Sequence, residues 1–180
     1  QAMRNWDGVE DWASSVYPDP SLIAVLDRVT PVSDHVKVDA ELRGCPISPE
    51  QLREFLAAVL VGRRPQLPDE AVCLECKRRG YPCVLVSANL TCLGPVTRAG
   101  CGALCPAFGR GCYGCFGPRE QPNVAALSSR FEFGGLTAAE AGRRFAGFTG
   151  LAEPFRAAIP AEGPARPIHS GSGEAPDARH

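Results

Sequence analysis

Apolar positions in residues 1–65 follow helical and strand spacing in turn. Trp6 to Tyr17 is spaced as a short helix, and Leu22, Ile23, Val25 and Leu26 form a second apolar face at helical spacing. His35 to Leu42 alternates as a strand does. Ser48-Pro49-Glu50-Gln51 then matches a capping box with Pro at the first helical position. Beyond it Leu52, Phe55, Leu56, Val59 and Leu60 repeat at three and four residues, one face of an amphipathic helix. Gly62-Arg63-Arg64-Pro65 supplies the stop. Helix, strand and helix in that order predict an α/β unit over residues 1–65.

The pattern then breaks. Residues 66–120 have no sustained period, and Gly or Pro recurs every few positions. Such a stretch has too few patterned apolar positions to bury a core of its own, so its order must come from something it binds. Residues 121–160 read as helical again, with Thr137 and Glu140 as a second capping box ahead of Ala141, Phe145 and Phe148. Residues 161–180 are Gly, Pro, Ser and charge, the composition of a disordered tail.

Composition narrows the classes. Of 180 residues 44% are hydrophobic, enough for a modest core. A formal charge of −1 gives no electrostatic case for nucleic acid or an anionic membrane surface. No run of 18 apolar residues is present to span a bilayer as a helix, and residues 1–30 lack the blocks of a signal peptide. The expected compartment is the cytoplasm. The chain opens at Gln1 and not Met, so its expected status is a fragment or a processed form.

Nine cysteines, an odd number without a secretory signal, argue against a disulfide framework and for thiolate ligands. Eight fall in one short stretch: Cys73-x2-Cys76-x6-Cys83-x8-Cys92, a gap, then Cys101-x3-Cys105-x6-Cys112-x2-Cys115. They divide into two sets of four. A [4Fe–4S] cubane takes four thiolates, and Gly-rich loops let the backbone wrap it. Cys92-Leu-Gly-Pro95 and Cys115-Phe-Gly-Pro118 repeat one device, a ligand followed by a turn. Residues 71–119 carry Lys77, Arg78, Arg79, Arg98, Arg110 and Arg119 against the single acid Glu75, an excess that two anionic clusters would cancel. Two structural zinc sites in an interaction module are the alternative, although zinc sites usually pair two Cys-x2-Cys hooks per metal and each set here has one.

Other motifs lack their context. Gly109-Arg-Gly-Cys-Tyr-Gly114 fits a dinucleotide pattern but holds a Cys and follows Pro106, without the strand and helix that pattern needs. Asn89-Leu-Thr91 is a formal glycosylation sequon with no role in a cytoplasmic protein. His35 reads as a surface or packing residue, and no nucleophile–base or carboxylate pair stands in a persuasive setting. No complete active site is expected in this chain alone.

The run from Cys92-Leu-Gly-Pro-Val-Thr-Arg-Ala-Gly-Cys101 through Cys105-Pro, with Gly111-Cys112-Tyr-Gly-Cys115-Phe-Gly-Pro118, closely resembles the small subunit of [NiFe] hydrogenases. The similar branch is the cytoplasmic NAD(P)-linked or sulfhydrogenase delta type, in the family that also holds the small iron–sulfur subunit of NADH:ubiquinone oxidoreductase. The resemblance implies a partial flavodoxin-like α/β domain at 1–65, followed by a loop-rich two-cluster domain with short helices. It assigns Cys73, Cys76, Cys83 and Cys92 to a distal [4Fe–4S] cluster and Cys101, Cys105, Cys112 and Cys115 to a medial one. Respiratory relatives use a histidine where Cys73 stands and a three-iron medial cluster. Cys45, in Glu41-Leu-Arg-Gly-Cys45-Pro-Ile, matches the last ligand of the family's proximal cluster. The other three proximal cysteines have no counterpart here, so a third cluster is expected only in a longer form. The implied role is electron relay between a nickel–iron large subunit and FAD/NAD(P)-binding and ferredoxin-like diaphorase subunits. The small subunit of an F420-linked hydrogenase is a second alternative.

Overall fold

A computed structural model describes residues 9–22 and 30–159. Its α-helices, in chain order, are α1 (Val9–Val16), α2 (Pro49–Leu60), α3 (Val72–Arg78), α4 (Val84–Ser87), α5 (Leu104–Ala107), α6 (Val124–Phe133), α7 (Ala138–Arg143) and α8 (Glu153–Arg156). Three single turns of 3₁₀ helix, at Pro20–Leu22, Val32–Asp34 and Arg144–Ala146, complete the elements. No helix among the described residues is long and apolar enough to cross a membrane.

No strand forms among the described residues; pairing is limited to the isolated bridges Ala71–Arg98 and Thr97–Pro118. The strand expected at His35–Leu42 is irregular chain, with Val36 and Val38 exposed. Alternation selects a face only where a neighbouring strand supplies a ladder, and none of the described residues does so here. The helix expected from Trp6 begins within the described residues at Val9. Most of the second apolar face, Ile23 to Leu26, lies outside them, as does the tail beyond 159.

The helix boundaries at 49–60 follow their sequence signals. Ser48 Oγ accepts the Gln51 N–H at 3.4 Å, and Pro49 occupies the first turn. At the other end Gly62, at φ +69°, adopts the left-handed turn that lets its N–H reach Val59 O and the Arg63 N–H reach Ala58 O, a Schellman closure. Only half of the expected box forms at the start: the Gln51 side chain leaves the helix and donates to Ala99 O at 3.0 Å. The C-terminal half of the apolar stripe is uncovered as well, while Leu52 and Phe55 are half-buried. Leu56, Val59 and Leu60 are exposed, while Gln51 and Ala58 are the buried residues of α2.

The main core sits elsewhere. Phe131, Phe145 and Phe155 of the C-terminal helices stack with ring centroids 6.1 and 5.6 Å apart, and Leu127, Ala141 and Ile159 fill around them. Two residues of the cysteine loops, Leu93 and Val96, are buried in the same cluster. The capping box at Thr137 and Glu140 is complete, starting α7 so that Ala141 and Phe145 turn inward, while Phe148 stays exposed. Side chains from 124–159 therefore supply the core that the loops could not build alone.

Candidate functional site

The cysteine region is a set of loops and single helical turns folded back on one another. Cys73 and Cys76 lie just under one turn apart on α3, Cys83 is the N-cap residue of α4, and Cys92 is buried in the loop that follows. Cys101 stands in the 100–103 loop, Cys105 on α5, and Cys112 and Cys115 in the return segment. The Val72 N–H donates to Thr97 O, and the Leu93 N–H to Cys112 O, so the two sets are laced together through the backbone. Cys92 and Cys112 are buried with Val72, Val84 and Ala103, and Cys76, Cys101 and Tyr81 pack against that cluster.

Backbone donors reach the sulfurs directly. The Cys112 N–H lies 3.2 Å from Cys92 Sγ and the Gly114 N–H 3.5 Å from Cys112 Sγ. Bonds of this kind favour thiolate over thiol and tune a bound cluster. Burial pushes the Cys73 thiol up to about 11, helped by the nearby Cys92, Cys76 and Cys83. Cys76, Cys105, Cys112 and Cys115 are raised as well, in each case chiefly by burial. Lys77 opposes the rise at Cys73 and Arg110 that at Cys105. Iron binding displaces the protons of such thiols and releases them to solvent, so ligation offsets the burial that disfavours the free thiolates.

The donor set fits iron–sulfur ligation on one observation. A Cβ placed on Gly94 would lie 3.3 Å from Cys92 Sγ and 3.5 Å from Cys73 Sγ, filling the space between thiols of the first set. Among the described residues no three Cys, His, Asp or Glu side chains converge closely enough to hold a single metal ion. A cavity of about 720 Å³ between residues 30–43 and 147–156 touches no cysteine, so it does not define the site.

The ninth cysteine stands apart from the hooks but not from the site. Cys45 is exposed and stands close enough to Cys115 to act on its thiol. The basic residues are less available than their number in 71–119 suggests. Arg78 forms a two-pronged pair with Glu70, and Arg98 and Arg119 both pair with Asp69. Asp69 and Glu70 lie just upstream of that stretch, so half of its cations are matched by carboxylates. Lys77, Arg79 and Arg110 remain as the cations close to thiols, at Cys73, Cys101 and Cys105 respectively.

Two residues absent from the sequence-based candidates hold the loops. Glu75 accepts three backbone N–H bonds around Cys101, and Gln51 secures Ala99 O. Both partners lie far along the chain, and no local pattern announces them.

The structure thus folds the loops that carry eight cysteines, Cys73 to Cys115, back on one another, with Cys92 and Cys112 buried in one cluster. No family model matches the chain. It is 45% identical over 97 residues to the delta subunit of sulfhydrogenase 2 from Pyrococcus furiosus, covering 54% of this chain and 41% of that protein. It is 37% identical over 122 residues to a vhu subunit of the F420-non-reducing hydrogenase of Methanocaldococcus jannaschii, with 58% and 42% covered. A third relative, the iron-sulfur subunit of the F420-non-reducing hydrogenase of Archaeoglobus profundus, is 32% identical over 143 residues, with 64% and 44% covered. The chain thus spans about two fifths of the length of these curated relatives. All three are subunits of oxidoreductases. Two of them come from hydrogenases that do not reduce F420, which runs against the F420-linked alternative.

Proposed function

We propose that this chain is the electron-transfer small subunit of a [NiFe] hydrogenase, with two [4Fe–4S] clusters held by Cys73, Cys76, Cys83 and Cys92 and by Cys101, Cys105, Cys112 and Cys115. The observation that carries this reading is the folding of the cysteine-bearing loops against one another, with N–H donors aimed at Cys92 and Cys112 sulfur. The relatives named as hydrogenase subunits, one of them as an iron-sulfur subunit, support it. Bound clusters would supply one-electron transfer. The chain's own residues bind and enclose them: Cys92 and Cys112 sit in an apolar pocket, and Val72 and Val84 keep water from it.

The expected partners are a nickel–iron large subunit and a diaphorase-type acceptor. Cys45 belongs in this reading to a third, proximal cluster whose other ligands are not in this sequence. The flavodoxin-like character of residues 1–65 is part of the same proposal, and the apolar stripe of α2, of the kind that packs on a sheet, supports it. The test is anaerobic purification of the chain in its native assembly, followed by metal analysis and exposure to hydrogen. Bleaching of a broad visible iron–sulfur absorption under hydrogen is the expected result. A nickel-free assembly, or an absorption that hydrogen leaves untouched, overturns the assignment.

A further inference from the structure

Glu75 lies between two ligands of the first set, Cys73-x-Glu75-Cys76, yet its side chain serves the second. Oε1 accepts the N–H groups of Gly100 at 3.0 Å and Gly102 at 3.1 Å, and Oε2 accepts that of Ala103 at 3.0 Å. Cys101 Sγ stands 3.9 Å from Oε2. Three of the N–H groups that surround the first ligand of the second set therefore converge on one half-buried carboxylate carried by α3.

Other contacts show that this loop is gripped and not merely touched. The Ala99 N–H donates to Glu70 O at 2.7 Å, and Gln51 secures Ala99 O from α2. Gly102, at φ +69°, runs beneath the Arg79 guanidinium, where a Cβ would come within 2.8 Å of Nη2. Arg79 is one helical turn beyond Glu75. Two side chains thus reach the 100–103 loop from α3 and its C-cap, and among the contacts made there only Glu75 combines several N–H bonds with a charge.

We infer that Glu75 is a positioning residue that shapes the Cys101 loop for its cluster and holds that cluster's potential down. The inference rests on the two-cluster reading above. Backbone N–H groups that point at cluster sulfurs raise the potential, whereas a carboxylate beside the cluster lowers it by opposing the extra electron. Glu75 acts in both senses: it occupies N–H groups that could otherwise face sulfur, and it places a negative charge next to Cys101. It also ties the two sets together, because the residue that shapes the second loop is held in register by the ligands of the first.

The experiment uses the full chain, anaerobically reconstituted with iron and sulfide, as wild type, Glu75→Gln and Glu75→Ala. Readouts are iron and sulfide content and potentiometric EPR, with the two signals assigned through Cys83→Ser and Cys105→Ser. Glu75→Ala is expected to fall from about eight irons to about four, keeping the first-set signal. Glu75→Gln is expected to keep both clusters, with the second-set potential moved positive and the first-set potential moved less. Wild-type potentials in both variants, or a loss confined to the first set, overturn the inference. Should Glu75→Ala not fold, the second-set potential in Glu75→Gln decides alone. Zinc without sulfide in the wild-type control refutes the cluster reading itself and not the role of Glu75.

Discussion

Residues 30–61 and residues 71–159 differ in a way that reverses what their patterns suggest. The first segment has the clearer periodicity and a helix with well-formed ends, yet Leu56, Val59 and Leu60 face solvent. The second begins with almost no periodicity and still contains the buried Phe131, Phe145 and Phe155 and the enclosed thiols. Amphipathic pattern says that a face can be buried; packing requires a second face to meet it. The loops obtain theirs by lending Leu93 and Val96 to the C-terminal helices, while α2 is anchored by a polar bond from Gln51.

The comparison breaks most directly at Phe155, which is fully buried between the C-terminal helices and the loops. Phe155→Ala should destabilise the reconstituted protein by about 3–5 kcal/mol in denaturant unfolding and lower iron retention with it. Unchanged stability would mean that the loops do not share this core. Gln51→Ala removes the bond to Ala99 O, at an expected cost of about 1–3 kcal/mol. Hydrogen exchange should speed up in 49–61 and stay slow in 124–159. Equal acceleration in both would show that α2 is an integral part of the main core.

Legibility divides along the same line. What depends on neighbours in sequence is readable from it: the Thr137–Glu140 box, the Ser48 cap and the Gly62 stop. What depends on distant partners is not. The alternation at His35–Leu42 becomes no strand because no ladder partner lies among the described residues. Gln51 has the position of a cap residue but reaches Ala99, 48 positions away, and Glu75 is the lone acid in a basic stretch but binds a loop 25 positions on. The charge excess of 71–119 is partly offset by Asp69 and Glu70, which stand just outside the span of the cysteines.

Smaller effects sharpen the contrast. Leu60 is 85% exposed, so Leu60→Ser should change stability by no more than about 0.5 kcal/mol. A loss well above that in thermal unfolding would mean that the stripe of α2 is covered in solution. Cys45→Ser should leave iron content as it is, since Cys45 is exposed and belongs to neither set of four in this reading. Loss of half the iron would place Cys45 among the ligands of the second set.

The central claim is that the eight thiols hold two four-iron clusters. Metal and acid-labile sulfide analysis of the chain after anaerobic reconstitution, with zinc and iron both offered, tests it most directly. The account predicts about eight irons and about eight sulfides per chain, with Cys105→Ser and Cys83→Ser each retaining about half. Two tightly bound zincs without sulfide would contradict it.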